Sequence, residues 1–135
     1  MELASYGFIV FAPNYHDGSC EYTEGPFEWQ NGKRVRKQVY FDTNYEVNHF
    51  DFRAAGLKIR VKELRALIDE ICKGKFFDKH TLDYEFGTAT IDHANLIAIG
   101  HSYGGITSLF AQTEDKRIRG GIGLDPWFFP CYPDL

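Results

Sequence analysis

A serine with a glycine two positions to either side, Gly100-His101-Ser102-Tyr103-Gly104, stands between an apolar run, Leu96-Ile97-Ala98-Ile99, and a stretch with helical character that begins at Ile106. The setting predicts a strand, a tight turn and a helix, with Ser102 on the turn. A serine held there has its hydroxyl pushed into the open, where it can attack an ester carbonyl. The turn forces the nucleophile into a strained backbone conformation, and side chains two residues before and after it would collide; Gly100 and Gly104 are expected to remove them. Gly105 is expected to let the helix approach the strand. Ser102 then lies at a helix N-terminus, where the dipole and free N–H groups favour negative charge. The backbone N–H of Tyr103 is the expected oxyanion donor, and one such donor is typically worth about 3–4 kcal/mol.

An acid is the next requirement. Ile118 to Leu124 reads as a buried strand ending at Asp125, whose carboxylate would emerge on the sheet edge that carries Ser102. There it would orient a histidine and stabilise its imidazolium. Pro126 follows directly, so a turn aspartate is the alternative, and the residues leave both readings open. His101 adjoins Ser102, but neighbours on a turn point different ways, and packing beside the elbow is the expected role of its ring. His16, His49, His80 and His93 precede the nucleophile and no histidine follows Asp125, whereas triads of this kind run serine, acid, histidine. A base and the loop bearing a second oxyanion donor are therefore expected to be missing from this chain.

The elements that must position these groups are legible as patterns. Phe8 to Pro13 is a short apolar run between turn residues, which predicts a strand buried on both faces of a parallel sheet. Glu2 to Tyr6 reads as a helix end capped by Gly7. Residues 14–50 are aromatic and polar, with a two-residue hairpin signal at Asn31-Gly32, and predict a small β excursion or cover outside the main sheet. Residues 51–73 predict a crossover helix capped by Asp51 and ended by Gly74, with Leu57, Val61, Leu64, Ile68 and Ile71 as its apolar stripe. Residues 75–94 read as a loop with one extended piece. The alternation of strand and helix implies parallel strands.

Composition bounds the rest. The 135 residues suffice for one modest domain, and 44% hydrophobic with 16% aromatic residues suffices for a core. A formal net charge of −4 gives no case for nucleic acid, and Lys33-Arg34-Val35-Arg36-Lys37 reads as a solvated strand or loop. Cys20, Cys72 and Cys131 form no Cys-x-x-Cys pair, so neither a zinc site nor a disulfide framework is indicated, and Cys72 falls on the apolar helix face. No signal peptide or membrane-length apolar run is visible, and compartment and oligomeric state are not readable.

Three segments resemble the platelet-activating factor acetylhydrolases of the plasma and intracellular type II kind. Glu2 to Val10 looks like the family's helix end and following strand. Asn95 to Gly105 resembles its Gly-His-Ser-Phe-Gly-Gly elbow, and Gly121 to Pro130 resembles its Gly-Ile-Ala-Leu-Asp-Ala-Trp-Met-Phe-Pro segment. Asp125 follows Ser102 by 23 residues, the close serine–acid spacing of that family. The resemblance implies an α/β-hydrolase fold, α/β with a mostly parallel sheet and flanking helices, here as one partial domain over 1–135, incomplete at both ends and with exposed edges and apolar faces. It implies Ser102 as nucleophile, Asp125 as triad acid, and Tyr103 in place of the family's oxyanion phenylalanine, only its N–H being needed. It implies Trp127 and Phe128 as walls near the acyl group, and likens Asp17 and Ser19 to an Arg-Asp-x-Ser segment from which Asn14 and His16 depart. The implied reaction is hydrolysis of the short sn-2 acyl ester of a phospholipid such as 1-alkyl-2-acetyl-glycerophosphocholine, with no metal or calcium. Trp127, Phe128 and Phe129 are candidates for contact with a lipid surface, core packing being the alternative.

Two other readings stand beside this one. The first is a different serine carboxylesterase or lipase-like enzyme of the same fold, which would lack Leu-Asp-x-Trp-x-Phe-Pro. The second is a non-catalytic truncated hydrolase. Without a following histidine the chain is expected to be nearly inactive by itself.

Overall fold

The computed structural model describes residues 2–40, 49–73 and 91–131. Its elements, in chain order, are α1 (Glu2–Ser5), β1 (Tyr22–Gln30), β2 (Lys33–Tyr40), α2 (His49–Cys72), β3 (Leu96–His101), α3 (Tyr103–Glu114) and β4 (Ile118–Leu124), with 3-10 turns at His93–Asn95 and Phe129–Cys131.

The predicted strand–turn–helix–strand unit is present. β3 and β4 pair in parallel from Leu96↔Ile118 to His101↔Leu124, and α3 joins them. Close approach of α3 depends on small residues. A Cβ on Gly105 would lie 3.1 Å from the Cα of Pro126, and one on Gly123 would lie 3.2 Å from the Leu109 side chain. α2 covers the other side of α3 with its apolar stripe, and Leu57, Val61 and Ile68 are buried with Tyr103, Ile106, Ala111 and Ile118 in one core. Ile71 is buried too, while Leu64 and Cys72 pack against that core from its margin. Arg117, bound to Asp115 and Asp69, and Arg65, bound to Glu114, tie the C-terminal halves of α2 and α3 together.

The hairpin is also where its turn signal put it. Asn31 and Gly32 have φ of 51° and 72°, the left-handed pair that a two-residue hairpin loop with the twist of its strands requires. β1 and β2 form their own antiparallel sheet, with a bulge between Glu24 and Phe27. α1 ends as read: Gly7 has φ of 88°, and its N–H donates to the Ala4 carbonyl at 3.1 Å.

Three expectations are corrected. Residues 8–13 are irregular, and Phe8, Ile9 and Val10 are 57, 45 and 45% exposed. A strand persists only where a neighbour takes up its N–H and C=O groups, and among the described residues this segment has no ladder partner. The parallel sheet among the described residues therefore has two strands, and the arrangement is mixed α/β; the mostly parallel sheet expected of an α/β-hydrolase fold is not seen in it. Second, the strand read as buried over Ile118 to Leu124 is covered on one face only: with Ile97 and Ile99 of β3, Ile122 and Leu124 point away from α3 and are 44–56% exposed, the open apolar face expected of an incomplete sheet. Third, α2 begins at His49, which places Asp51 in its first turn rather than at its cap; a carboxylate there still complements the dipole. Gly74 and most of the predicted loop 75–94 lie outside the described residues, except that Asp92 caps the 3-10 turn by accepting from the Ala94 N–H at 3.0 Å.

Candidate active site

Ser102 is the hinge between β3 and α3, with φ 52° and ψ −117°. That conformation is rare for a residue with a Cβ and costs on the order of 1–3 kcal/mol. Hydrogen bonds over-determine it. Its N–H donates to the Leu124 carbonyl at 3.0 Å, and its carbonyl accepts from Ile106 at 3.2 Å and from Trp127 at 3.0 Å. The turn is as tight as expected on one side: a Cβ on Gly100 would lie 2.2 Å from the Gly104 carbonyl oxygen. The other half of that expectation is corrected, because a Cβ on Gly104 would meet nothing within 4 Å. The crowding arises from the backbone of the first helical turn folding over Gly100, and Gly104 faces outward.

Asp125 occupies the matching place on the adjacent strand. His101 and Leu124 form the last rung of the parallel ladder, so Ser102 and Asp125 each follow it by one residue. Neighbouring strands lie about 4.8 Å apart. Asp125 is exposed and has φ of 44°, so its backbone is also left-handed. His101 was expected to pack beside the elbow. Its side chain is instead exposed on the open face of the sheet, because the alternation along β3 turns it away from α3.

The segment after Asp125 folds back over the N-terminal end of α3. Trp127 stacks on Phe129 with ring centroids 5.3 Å apart and planes at 14°, and meets Tyr103 edge-on at 5.7 Å. His49 lies 6.0 Å from Trp127 and 5.1 Å from Phe129. Trp127 thus packs against the core, while Phe128 is 44% exposed and Phe129 37%.

The sequence reading gave Tyr103 a role through its N–H alone. Its side chain is used as well. The ring is buried, the hydroxyl donates to the Arg53 carbonyl at 2.5 Å, and the Arg60 guanidinium lies 4.3 Å from the ring centroid. Burial pushes the Tyr103 phenol far above its ordinary range, so it stays protonated and keeps donating. Gly56 makes the approach of α2 and α3 possible, since a Cβ there would lie 2.6 Å from the Tyr103 hydroxyl.

Beneath Tyr103, Asp17 and Ser19 have a clear place. The Asp17 side chain is 1% exposed and accepts from Arg60 Nε at 2.8 Å, and the Ser19 hydroxyl donates to its other oxygen at 2.9 Å. Sequence reasoning missed Arg60, Arg53 and Gly56. The signal was there: Arg60 interrupts the apolar stripe between Leu57 and Val61, where a charge needs a buried partner, and a glycine in mid-helix costs stability unless something approaches closely.

His16 forms a second polar junction. Its ring nitrogens face Glu63 Oε1 at 3.0 Å and the Glu24 carbonyl at 2.9 Å. Burial opposes its charge, but the Glu24 carbonyl and the Glu63 carboxylate outweigh that, and His16 titrates above its ordinary range. A cavity of about 790 Å³ opens beside it, lined by Asn14, Tyr22, Thr23, Glu24, Arg36 and Glu63 among others. Ser102 and Asp125 do not line it; they sit at the C-terminal ends of β3 and β4. Among the described residues no group of three His, Cys, Asp or Glu side chains is placed to hold a metal ion, and no helix is long and apolar enough to cross a membrane.

Comparison with known proteins places this chain in a family. The family model described as platelet-activating factor acetylhydrolase, isoform II, matches residues 1–135. The chain is 36% identical to the platelet-activating factor acetylhydrolase of Bos taurus over 140 residues, covering 96% of this chain and 31% of that protein. It is 33% identical to that of Cavia porcellus over 147 residues, covering 100% and 32%, and 34% identical to that of Canis lupus familiaris, covering 96% and 31%. The chain thus spans about a third of the length of these curated relatives. The family match over all 135 residues, with relatives 33–36% identical over nearly the whole chain, shows that the chain belongs to the platelet-activating factor acetylhydrolase isoform II family.

Proposed function

We propose that this chain carries the nucleophile-bearing part of a serine esterase that hydrolyses the short sn-2 acyl ester of platelet-activating factor-like phospholipids. The observation that carries the reading is Ser102 itself, held at φ 52° and ψ −117° at the start of α3, a conformation kept only where surrounding bonds enforce it.

In the proposed reaction Ser102 Oγ attacks the acyl carbonyl carbon and gives up its proton to a base. The oxygen that becomes negative is met by the Tyr103 N–H and the N-terminal end of α3. The ester C–O bond breaks, the lysophospholipid leaves with a proton on its oxygen, and the acyl group stays on Ser102. Water then attacks the acyl-serine, releasing acetate and the free hydroxyl. Asp125 is the proposed acid that orients the base. No histidine follows Asp125 in the sequence, so the reading assigns this chain a nucleophile, an acid and one oxyanion donor and no base. The 135 residues alone are accordingly read as nearly inactive, because triads lose most of their rate when one member is absent.

The partner is a phospholipid, and Phe128, exposed beside the packed Trp127, is the proposed wall nearest the acyl group. The test is covalent labelling of the full-length protein with a fluorophosphonate, followed by peptide mapping and a substrate panel. Modification at Ser102, lost in Ser102→Ala, with acetylated phospholipid cleaved faster than simple esters, is expected. Labelling that survives Ser102→Ala would falsify the nucleophile assignment, and equal rates on simple esters would return the chain to a general carboxylesterase reading.

A further inference from the structure

We infer that Arg60, clamped by Asp17 and Ser19, is a positioning residue that fixes Tyr103 and thereby the backbone N–H beside Ser102. The inference rests on the reading of Tyr103 as an oxyanion donor and adds residues from two other parts of the chain to that machinery.

The geometry forms one continuous stack. Arg60 projects from mid-α2, and its guanidinium lies over two aromatic rings, 4.8 Å from the centroid of Tyr15 and 4.3 Å from that of Tyr103. Its Nε donates to Asp17 Oδ2 at 2.8 Å, and its terminal nitrogen donates to the Ser19 hydroxyl. That hydroxyl donates to Asp17 Oδ1 at 2.9 Å, and the Ser19 N–H reaches the same oxygen at 3.4 Å. Arg60, Asp17 and Tyr103 are all buried. A planar guanidinium held at its edge by a carboxylate and a hydroxyl has its plane set, and its faces are left to grip aromatic rings. On Tyr103 the grip is completed by the hydroxyl bond to the Arg53 carbonyl and the edge contact with Trp127.

A structural explanation alone accounts for burial of the pair but not for its place. Burying an ion pair brings little net stability over a well-packed apolar alternative. What this pair does is lock the side chain of the residue directly after the nucleophile. Tyr103 is the first residue of α3, so its ring and its N–H share one Cα, and the N–H lacks an intrahelical acceptor. An oxyanion donor acts through preorganisation, and misplacement of about 1 Å costs about 100-fold in rate.

Arg60→Lys in the full-length protein tests this. Lysine keeps the charge opposite Asp17 and loses the planar fork and its two aromatic faces. Two measurements are made. The ¹⁵N order parameter of the Tyr103 amide is expected to fall from about 0.85 toward about 0.6, with those of Ile106 and Ala111 unchanged. On the acetylated phospholipid, kcat is expected to fall by about tenfold or more, short of the roughly 100-fold or greater loss that follows outright removal of a donor, with KM unchanged. Affinity for a trifluoromethyl ketone, whose adduct puts an oxygen where the oxyanion forms, is expected to fall by the same factor as kcat. Ser19→Ala, which leaves the Asp17–Arg60 pair in place, is expected to shift all three readouts in the same direction by less, and it decides the matter should Arg60→Lys melt the domain. An unchanged Tyr103 order parameter, or a lowered Tm with unchanged kcat and ketone affinity, overturns the inference. Turnover that survives Ser102→Ala overturns the esterase reading instead, and the order parameter still decides whether Arg60 positions Tyr103.

Discussion

The Trp127 N–H donates to the Ser102 carbonyl at 3.0 Å. Through this bond, and through the one from Ser102 N–H to the Leu124 carbonyl, also 3.0 Å, the elbow and the loop carrying Asp125 brace one another. Neither loop is held by its own strand alone, and the strain at Ser102 and at Asp125 is sustained from the opposite side of the pair.

That strain is measurable. Ser102 and Asp125 are non-glycine residues at φ 52° and 44°. Ser102→Gly is expected to be more stable than Ser102→Ala by about 1 kcal/mol, and Asp125→Gly more stable than Asp125→Ala by about 0.5–1 kcal/mol. Urea unfolding of the four variants checks this. Equal midpoints within each pair would show that the turns relax without cost.

Asp125→Asn preserves shape and removes the charge. The expected loss in turnover of the full-length protein is about 10⁴-fold, as when the acid of such a triad is neutralised, with an unchanged thermal midpoint. A rate within a fewfold of the parent would return Asp125 to the role of a turn residue.

The two glycines of the elbow should separate cleanly. Gly100→Ala puts a Cβ 2.2 Å from the Gly104 carbonyl oxygen, a clash with backbone, and is expected to cost about 3 kcal/mol. Gly104→Ala meets open space and, being in the first turn of α3, is expected to be neutral or to stabilise by up to about 1 kcal/mol. Chemical denaturation measures both; similar losses would mean that crowding is shared across the turn.

Gly56 and Tyr103 form a testable pair. Gly56→Ala drives a Cβ to 2.6 Å from the Tyr103 hydroxyl and 3.1 Å from Asp17 Oδ2 and is expected to cost about 1–3 kcal/mol. Tyr103→Phe removes the bond to Arg53 and is expected to cost about 1 kcal/mol. Because the phenylalanine lacks the clashing atom, the double variant is expected to be more stable than the sum of the singles by about 1 kcal/mol or more. Strict additivity would place the two residues out of contact.

His16 sets a pH dependence. Its folded pKa is raised above its unfolded value, near 6.5, so its contribution to stability is fully present below that value and is lost as pH rises through the folded pKa. The bridge joins β1 to α2, with Glu63 and the Glu24 carbonyl in contact, Asp17 nearby and Arg36 paired to Glu24. The stability difference between the parent and His16→Gln is expected to shrink between pH 6 and the folded pKa, read from urea midpoints at a series of pH values. With the His16 side chain about a third exposed, the effect is expected to be small and to weaken in high salt. A difference that grows with pH would reverse the sign assigned here.

Local sequence determined the elements whose signals are local. The Asn31-Gly32 hairpin, the Gly7 stop, the apolar stripe of α2 and the strand–elbow–helix–strand unit around Ser102 all follow from backbone preferences and side-chain periodicity within a few residues. Whether residues 8–13 become a strand depends on a neighbour that hydrogen-bonds to them, and that is a property of the assembled sheet. Which face of β3 is covered depends likewise on what packs there, so within one apolar run Leu96 and Ala98 pack against the core while Ile97 and Ile99 stand open. Only the tertiary structure could bring Asp17, the Gly56–Arg60 turn of α2 and Tyr103 together, because these three places are distant in the chain and meet where α2 crosses α3. The sequence offered an arginine in an apolar stripe and a glycine in mid-helix, two local misfits. Folding resolves both at one point, directly behind the residue that follows Ser102.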